Sequence, residues 1–140
     1  MLINEIFQSI ITMKHDEKTL IIRKIRNSEP KDALKKIESL LKKQPNDGKF
    51  LVEKGTILLE LDKEKEALKI FDKLLKIDST AVYGWYGYGC YYNADGKYDK
   101  AIESLNNALQ LEPGYSDALA QKSHSLYMTE KFKQSLSICE

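Results

Sequence analysis

A nucleophile, a base and an acid are all present in this chain, so catalysis is the first question. His124 stands between Ser123 and Ser125, the residue types of a hydroxyl nucleophile and its base. Adjacent residues on a helix do not face each other, so this order does not set a serine oxygen on the imidazole. Cys90 and His124 hold equivalent places in successive repeats of the chain, so they could approach. A thiol–imidazole pair needs hydrogen-bond reach, an orienting third group and an oxyanion donor, and no third member is evident. His15, Asp16 and Glu17 have metal-ligand chemistry, but they read as the fraying start of a helix. The run from Gly84 to Gly89, GWYGYG, has the dinucleotide fingerprint spacing reversed and no strand before it. Its tyrosines have faces on which nucleic-acid bases stack, but such a site also needs a basic groove, and almost no Lys or Arg lies nearby. We expect no catalytic residue, no cofactor, no metal and no nucleic-acid partner.

The bulk properties agree. The chain has 140 residues, 42% apolar and 31% charged, with a net charge of +1. That is one domain's length, with enough apolar material for a core, and no overall attraction to nucleic acid or an anionic membrane. Met1–Lys76 carries 17 basic against 13 acidic residues, and Ile77–Glu140 carries 5 against 8. Ordinary lysine-rich solvated faces account for that asymmetry. The two cysteines, Cys90 and Cys139, match no metal or redox spacing, so free thiols and a reducing, cytoplasmic setting are expected. The start, MLINEIFQSIITMK, has an acid at Glu5 and no positive n-region, so no signal peptide is expected. No apolar run approaches a membrane span.

The elements follow from a register. Slid against itself by one fixed offset, the chain superposes Ala33, Ala67, Ala101 and Ser135, then Gly55, Gly89 and Ser123, then Leu51, Trp85 and Leu119. A fixed period of this length marks a helical repeat array. Leu2, Ile3, Ile6, Phe7, Ile10 and Ile11 form one helical stripe, expected as a short helix to Met13 that caps the open end. A second helix is expected over Asp16–Arg26, then Ser28 as N-cap with Pro30 in the first turn of a helix to about Lys43. Pairs follow over Lys49–Glu60 and Lys63–Ile77, over the two halves of Val82–Tyr115 with Asp95-Gly96 as the turn, and over Ser116–Met128 and Phe132 to the end. No segment alternates with period two, so no strand is expected.

At Val82–Tyr115 the residues Trp85, Gly89, Tyr92, Gly96, Tyr98, Ala101, Ala108 and Pro113 fall where the tetratricopeptide repeat has its signature, and the chain resembles that family. Tyr88 stands where the pattern has Leu. Gly48–Ala81 keeps Leu51, Gly55, Leu58, Ala67 and Phe71, with Asp62, Glu64 and Ser79 for the turn Gly, the Tyr and the Pro. Lys14–Asp47 matches in its second helix only, since Glu17, Ile21 and Lys24 hold the first-helix positions. Ser116–Glu140 matches through Leu119, Ser123, Leu126 and Phe132, then stops. The resemblance implies an all-α, right-handed solenoid of antiparallel helix pairs, about three and a half units: residues 1–13 a cap, 14–47 a degenerate unit, 48–81 and 82–115 full units, and 116–140 a truncated one.

It also implies a concave groove lined by the first helices: Lys49, Val52, Thr56 and Leu59; Tyr83, Tyr86, Cys90 and Asn93; Asp117, Ala120, His124 and Tyr127; and His15, Lys18, Ile22 and Ile25 from the degenerate unit. The family's carboxylate clamp maps onto Lys18, Ile22, Glu53, Tyr83 and Gly87, where only Lys18 fits, so that clamp is not expected. Trp85, Tyr88, Tyr92 and Tyr98 are assigned to the core. The expected function is non-catalytic: a protein or peptide held against Tyr83, Tyr86, Cys90, Asn93, His124 and Tyr127, with Asn93 orienting its backbone. The rival reading places the interface at the open C-terminal end, through self-association as a homo-oligomer or docking onto another domain. Gly84 and Gly87 imply either close packing or a bound backbone.

Overall fold

The structure, a computed structural model, describes the backbone of residues 2–139 and the side chains of residues 2–6 and 17–137. Among these residues there are seven helices and no strand: α1 (Leu2–Arg26), α2 (Pro30–Lys43), α3 (Gly48–Glu60), α4 (Glu64–Leu75), α5 (Ala81–Ala94), α6 (Tyr98–Leu111) and α7 (Ser116–Cys139). Consecutive helices pack as neighbours, and the odd helices also stack, α3 on α5 and α5 on α7. This is the helix-pair solenoid that the repeat register implies.

Two turns repeat the register at atomic detail. Lys63 N–H donates to Leu58 O at 2.9 Å, and one repeat later Lys97 N–H donates to Tyr92 O at 2.8 Å. Both close a left-handed helix end, at Asp62 (φ 60) and Gly96 (φ 75). Gly reaches this conformation freely and Asp more readily than most residues. The next residue in the series is Glu130. It carries neither advantage, and α7 runs straight through it. The two helices expected over 116–128 and 132–140 are therefore one.

The same correction applies at the other end. The helices expected over 2–13 and 16–26 are a single α1, because no Gly, Pro or turn pair interrupts Met13-Lys14-His15-Asp16-Glu17. At 1.5 Å per residue its 25 residues run about 37 Å, against about 21 Å for the 14 residues of α2. The first half of α1 thus overhangs its partner. Leu2, Ile3 and Ile6 are exposed, so these residues of the expected cap cover nothing. The side chains of Phe7, Ile10, Ile11, His15, Asp16, Ile138 and Cys139 lie outside the described residues. Ser28 is not the N-cap of α2. Glu29 is, and the Ser28 hydroxyl instead donates to Lys24 O at 3.0 Å.

The core has two parts. One gathers Ile22, Ile25, Ala33, Ile37, Phe50 and Ile57 under α1–α3. The larger holds Val52, Leu58, Ala67, Phe71, Leu74, Tyr86, Ala101, Leu105 and Ala108. Phe71 sits at its centre, with no exposed surface. A Cβ at Gly87 would lie 2.2 Å from Phe71 Cδ1, and one at Gly84 would lie 2.7 Å from Leu75 Cγ. Both glycines are thus there for close helix packing inside the chain, which offsets their helix-propensity cost of about 1 kcal/mol each. As α5 advances from Gly84 to Gly87, α4 retreats from Leu75 to Phe71, the signature of antiparallel neighbours.

Candidate functional site

The stacked odd helices enclose a cleft of about 620 Å³, and every residue lining it comes from α1, α3, α5 or α7. Thr56, Leu59, Tyr86, Cys90, Asn93, Asp117, Ala120 and His124 line it, as the family register implies. Arg26, Glu53, Glu60, Ala94 and Gln121 join them. Tyr83 lies instead in an adjoining cleft of about 480 Å³ with Lys49, Glu112 and Tyr115. Tyr127 lines neither. It is 58% exposed, with the Lys131 ammonium 5.2 Å from its ring centre.

An ion network that the register does not reveal crosses this face. Arg26, at the end of α1, donates from Nε and Nη2 to the two Glu53 carboxylate oxygens at 2.8 and 2.9 Å. From Nη1 and Nη2 it also reaches Asp117 at 3.2 and 3.1 Å. Glu53 is 2% exposed, and this fork is what makes a buried carboxylate tolerable. Burial alone would lower the Arg26 pKa, but hydrogen bonds and charge from Glu53 and Asp117 more than reverse this and raise it. At the rim, Lys18 pairs with the Asp47 carboxylate, and Asp47 also caps α3 by accepting Phe50 N–H at 3.0 Å. The one lysine that fitted the carboxylate clamp is thus occupied inside the chain.

The polar residues of the cleft are also engaged internally. Asn93 Nδ2 donates to Gln121 Oε1 at 2.9 Å and to Gln121 O at 3.2 Å, and Ser125 Oγ donates to Asn93 Oδ1 at 2.6 Å. Asn93 therefore fastens α5 to α7, and its amide is not the free backbone probe expected from sequence. Tyr86, expected to present its ring to a partner, is 5% exposed and packs on Tyr115 with ring centres 5.1 Å apart. Stacking of α3, α5 and α7 closes over its ring and leaves only an edge at the cleft. Tyr88, Trp85 and Tyr92, assigned to the core, are half-buried, and the Tyr88 hydroxyl bonds the Asp72 carboxylate.

Burial pushes the Cys90 thiol up to about 12, against a partial offset from its hydrogen bond with Tyr86. It is a protonated thiol at neutral pH. Cys90 and His124 line one cleft, but among the described residues no hydrogen bond joins them, and His124 packs edge-on to Tyr98 with ring centres 6.2 Å apart. Among the described residues no group of His, Cys, Asp and Glu is placed to hold a metal ion. No helix there is long and apolar enough to cross a membrane.

Stacked antiparallel pairs, a fixed repeat register and a cleft lined by alternate helices define a tetratricopeptide-type helical repeat protein. Residues 20–139 match the model of the Psidin N-terminal tetratricopeptide repeat region. The chain belongs to that family. It is 31% identical over 104 residues to the auxiliary subunit NAA15 of the N-terminal acetyltransferase A complex from Arabidopsis thaliana, covering 74% of this chain and 12% of that protein. Over 86 residues it is 31% identical to Superkiller protein 3 of Saccharomyces cerevisiae, covering 61% of this chain and 6% of that one. The fold is similar to a chain in the solved structure of Naa15/Naa10 bound to HypK-THB, with TM-score 0.60 and 25% identity over 85% of this chain and 20% of the other. The chain thus spans about a tenth of the length of the curated relatives.

Proposed function

We propose that this chain is a non-catalytic interaction module of the cytoplasm that holds a segment of a partner protein in the cleft between α1, α3, α5 and α7. One observation carries the reading: a cleft of about 620 Å³ is lined by one face of successive odd helices. The Arg26, Glu53 and Asn93 side chains at its floor are tied into the fold, and its thiol is protonated. Such a surface can shape and bury a partner, but it has no activated nucleophile. The relatives support the same reading, since NAA15 is named an auxiliary subunit and Naa15 has been solved with Naa10 and HypK-THB.

The contact surface is the exposed floor rather than the tyrosine rings. Ala120 and His124 on α7 are exposed in the cleft, with Thr56 and Leu59 half-exposed opposite. Ala120→Arg fills the cleft from a solvent-facing position and leaves the core untouched. A photo-cross-linker at position 120 should capture a partner protein from native lysate, and Ala120→Arg should abolish capture in a parallel pull-down while helix content is unchanged. Equal capture by Ala120→Arg removes the cleft reading.

A second reading attaches to α7. Leu119 and Leu126 share one face of the helix and Phe132 and Leu136 another, and all four are between 46% and 64% exposed, more apolar surface than is left to water without reason.

A further inference from the structure

We propose that α7 exchanges its C-terminal segment, residues 131–139, with a second copy of this chain, each copy completing the other's fourth repeat. The proposal rests on the second reading above and names its occupant.

The repeat register says what belongs on the open face of α7. In the second unit a Cβ at Gly55 would meet Phe71 Cε1 at 2.3 Å, and in the third one at Gly89 would meet Leu105 Cδ2 at 2.4 Å. Phe71 and Leu105 are both wholly buried. One repeat further on, the pair becomes Ser123 and Cys139. The partner of the Leu119–Ser123–Leu126 face is therefore the segment beginning at Lys131. In this chain that segment continues along the same helix, and a continuous helix cannot lie against itself. Ser123 and Ser135 are exposed, where their equivalents Gly89 and Ala101 are buried.

In the two full units the turn back uses a left-handed residue, Asp62 and Gly96, and Glu130 stands at that place in the fourth unit. Glutamate lacks the local advantage of either. A hinge that resists closing, next to a segment complementary to its own neighbour, is the arrangement that favours exchange between copies. The straight helix then needs no turn. The exposed parts of Leu119, Leu126, Phe132 and Leu136 on both copies together are on the order of 1,000 Å², about the floor for a specific interface. The new contact continues the seam that already joins α3 to α4 and α5 to α6.

Sedimentation of the full chain across the micromolar range tests this. The wild type should be dimeric at the upper end, Leu126→Glu should be monomeric, and Glu130→Gly should shift the chain to monomer by permitting the turn. Ser123→Cys, oxidised with diamide, should form a disulfide with Cys139 of the second copy and run as a covalent dimer, while Cys139→Ser in that background should not. A strictly monomeric wild type overturns the proposal, as does a Ser123→Cys disulfide closed within one chain. A dimer that survives Leu126→Glu overturns the exchange while leaving self-association standing.

Discussion

The Arg26 guanidinium lies 3.1 Å from the Asp117 carboxylate across 91 residues of sequence. The contact ties the end of α1 to the first turn of α7 and crosses the concave side of α3. The same guanidinium holds Glu53 bidentately. One cation thus links α1, α3 and α7 and neutralises the buried acid. The two carboxylates differ in what they contribute. Asp117 is one-third exposed and Glu53 nearly buried, with Arg26 itself partly exposed, so solvent screens the first pair more than the second.

Arg26→Ala should therefore cost more than an exposed pair would. It leaves Glu53 buried without a counter-charge, and such a loss is worth about 3–5 kcal/mol. Asp117→Asn should cost only about 0–1 kcal/mol. Replacing Arg26 and Glu53 together with Met and Leu should recover most of the loss. Urea unfolding of the three variants measures the ordering, and an Arg26→Ala cost no larger than that of Asp117→Asn would show that Glu53 finds water instead.

Gly87→Ala tests the packing at Phe71. Alanine gains about 1 kcal/mol of helix propensity, but the new Cβ would sit 2.2 Å from the Phe71 ring carbon. Phe71 also packs closely on Gly55, so the ring has little room to yield, the clash should win and the variant should lose about 1–3 kcal/mol. Gly114→Ala meets nothing within 4 Å and should be near neutral. Thermal melts of the two side by side give the sign.

High pH should loosen the array. The folded state raises the pKa of Cys90 from its ordinary 9.0 to about 12, through burial. Burial likewise raises those of Tyr83, Tyr86 and Tyr115 above their ordinary 10.0. Each group holds its proton more tightly when folded, so the stabilisation is complete below pH 9 and is lost as the pH rises beyond it. Denaturant midpoints should be level from pH 7 to 8.5 and fall steadily above 9. In a Cys139→Ser background, Cys90 should react with a thiol reagent at pH 8 roughly a thousandfold more slowly than a free cysteine. Reaction at the free rate would restore a nucleophilic role.

The elements and the seams between them were legible because they depend on local, periodic signals. Phe71 and Leu105 recur at the repeat period, and so do the turn residues Asp62 and Gly96. Each is read from one helix and its neighbour. Glu53 was not legible, because a carboxylate is buried only when a distant cation meets it, and Arg26 sits on another helix with no spacing rule to link them. The burial of Tyr86 was not legible for a related reason. Its register position is on the inner face, but whether that face is open or closed depends on how tightly α3, α5 and α7 stack. The straightness of α1 and α7 follows from what is missing at Met13–Glu17 and Glu130, and an expected repeat boundary hides an absent turn.

The link between α5 and α7 bears directly on the cleft. Ser125 is wholly buried, and its hydroxyl has Asn93 Oδ1 at 2.6 Å and Gln121 O at 3.0 Å. Asn93 in turn holds the Gln121 side chain. Asn93→Ala removes one hub of this network and leaves the buried hydroxyl with a single acceptor from its own helix. The hydroxyl keeps that acceptor, so the loss is that of the bridging hydrogen bonds, about 0.5–1.5 kcal/mol, and the variant should unfold at correspondingly lower urea. Ser125→Ala alone should cost less, because it removes a donor and its desolvation together. The double variant should be more stable than the sum of the two losses implies, since the groups are coupled. If Asn93 instead faced a partner, Asn93→Ala would leave the free chain's stability unchanged and weaken capture alone. Urea midpoints of the free chain set against cross-linking yield from position 120 separate the two roles.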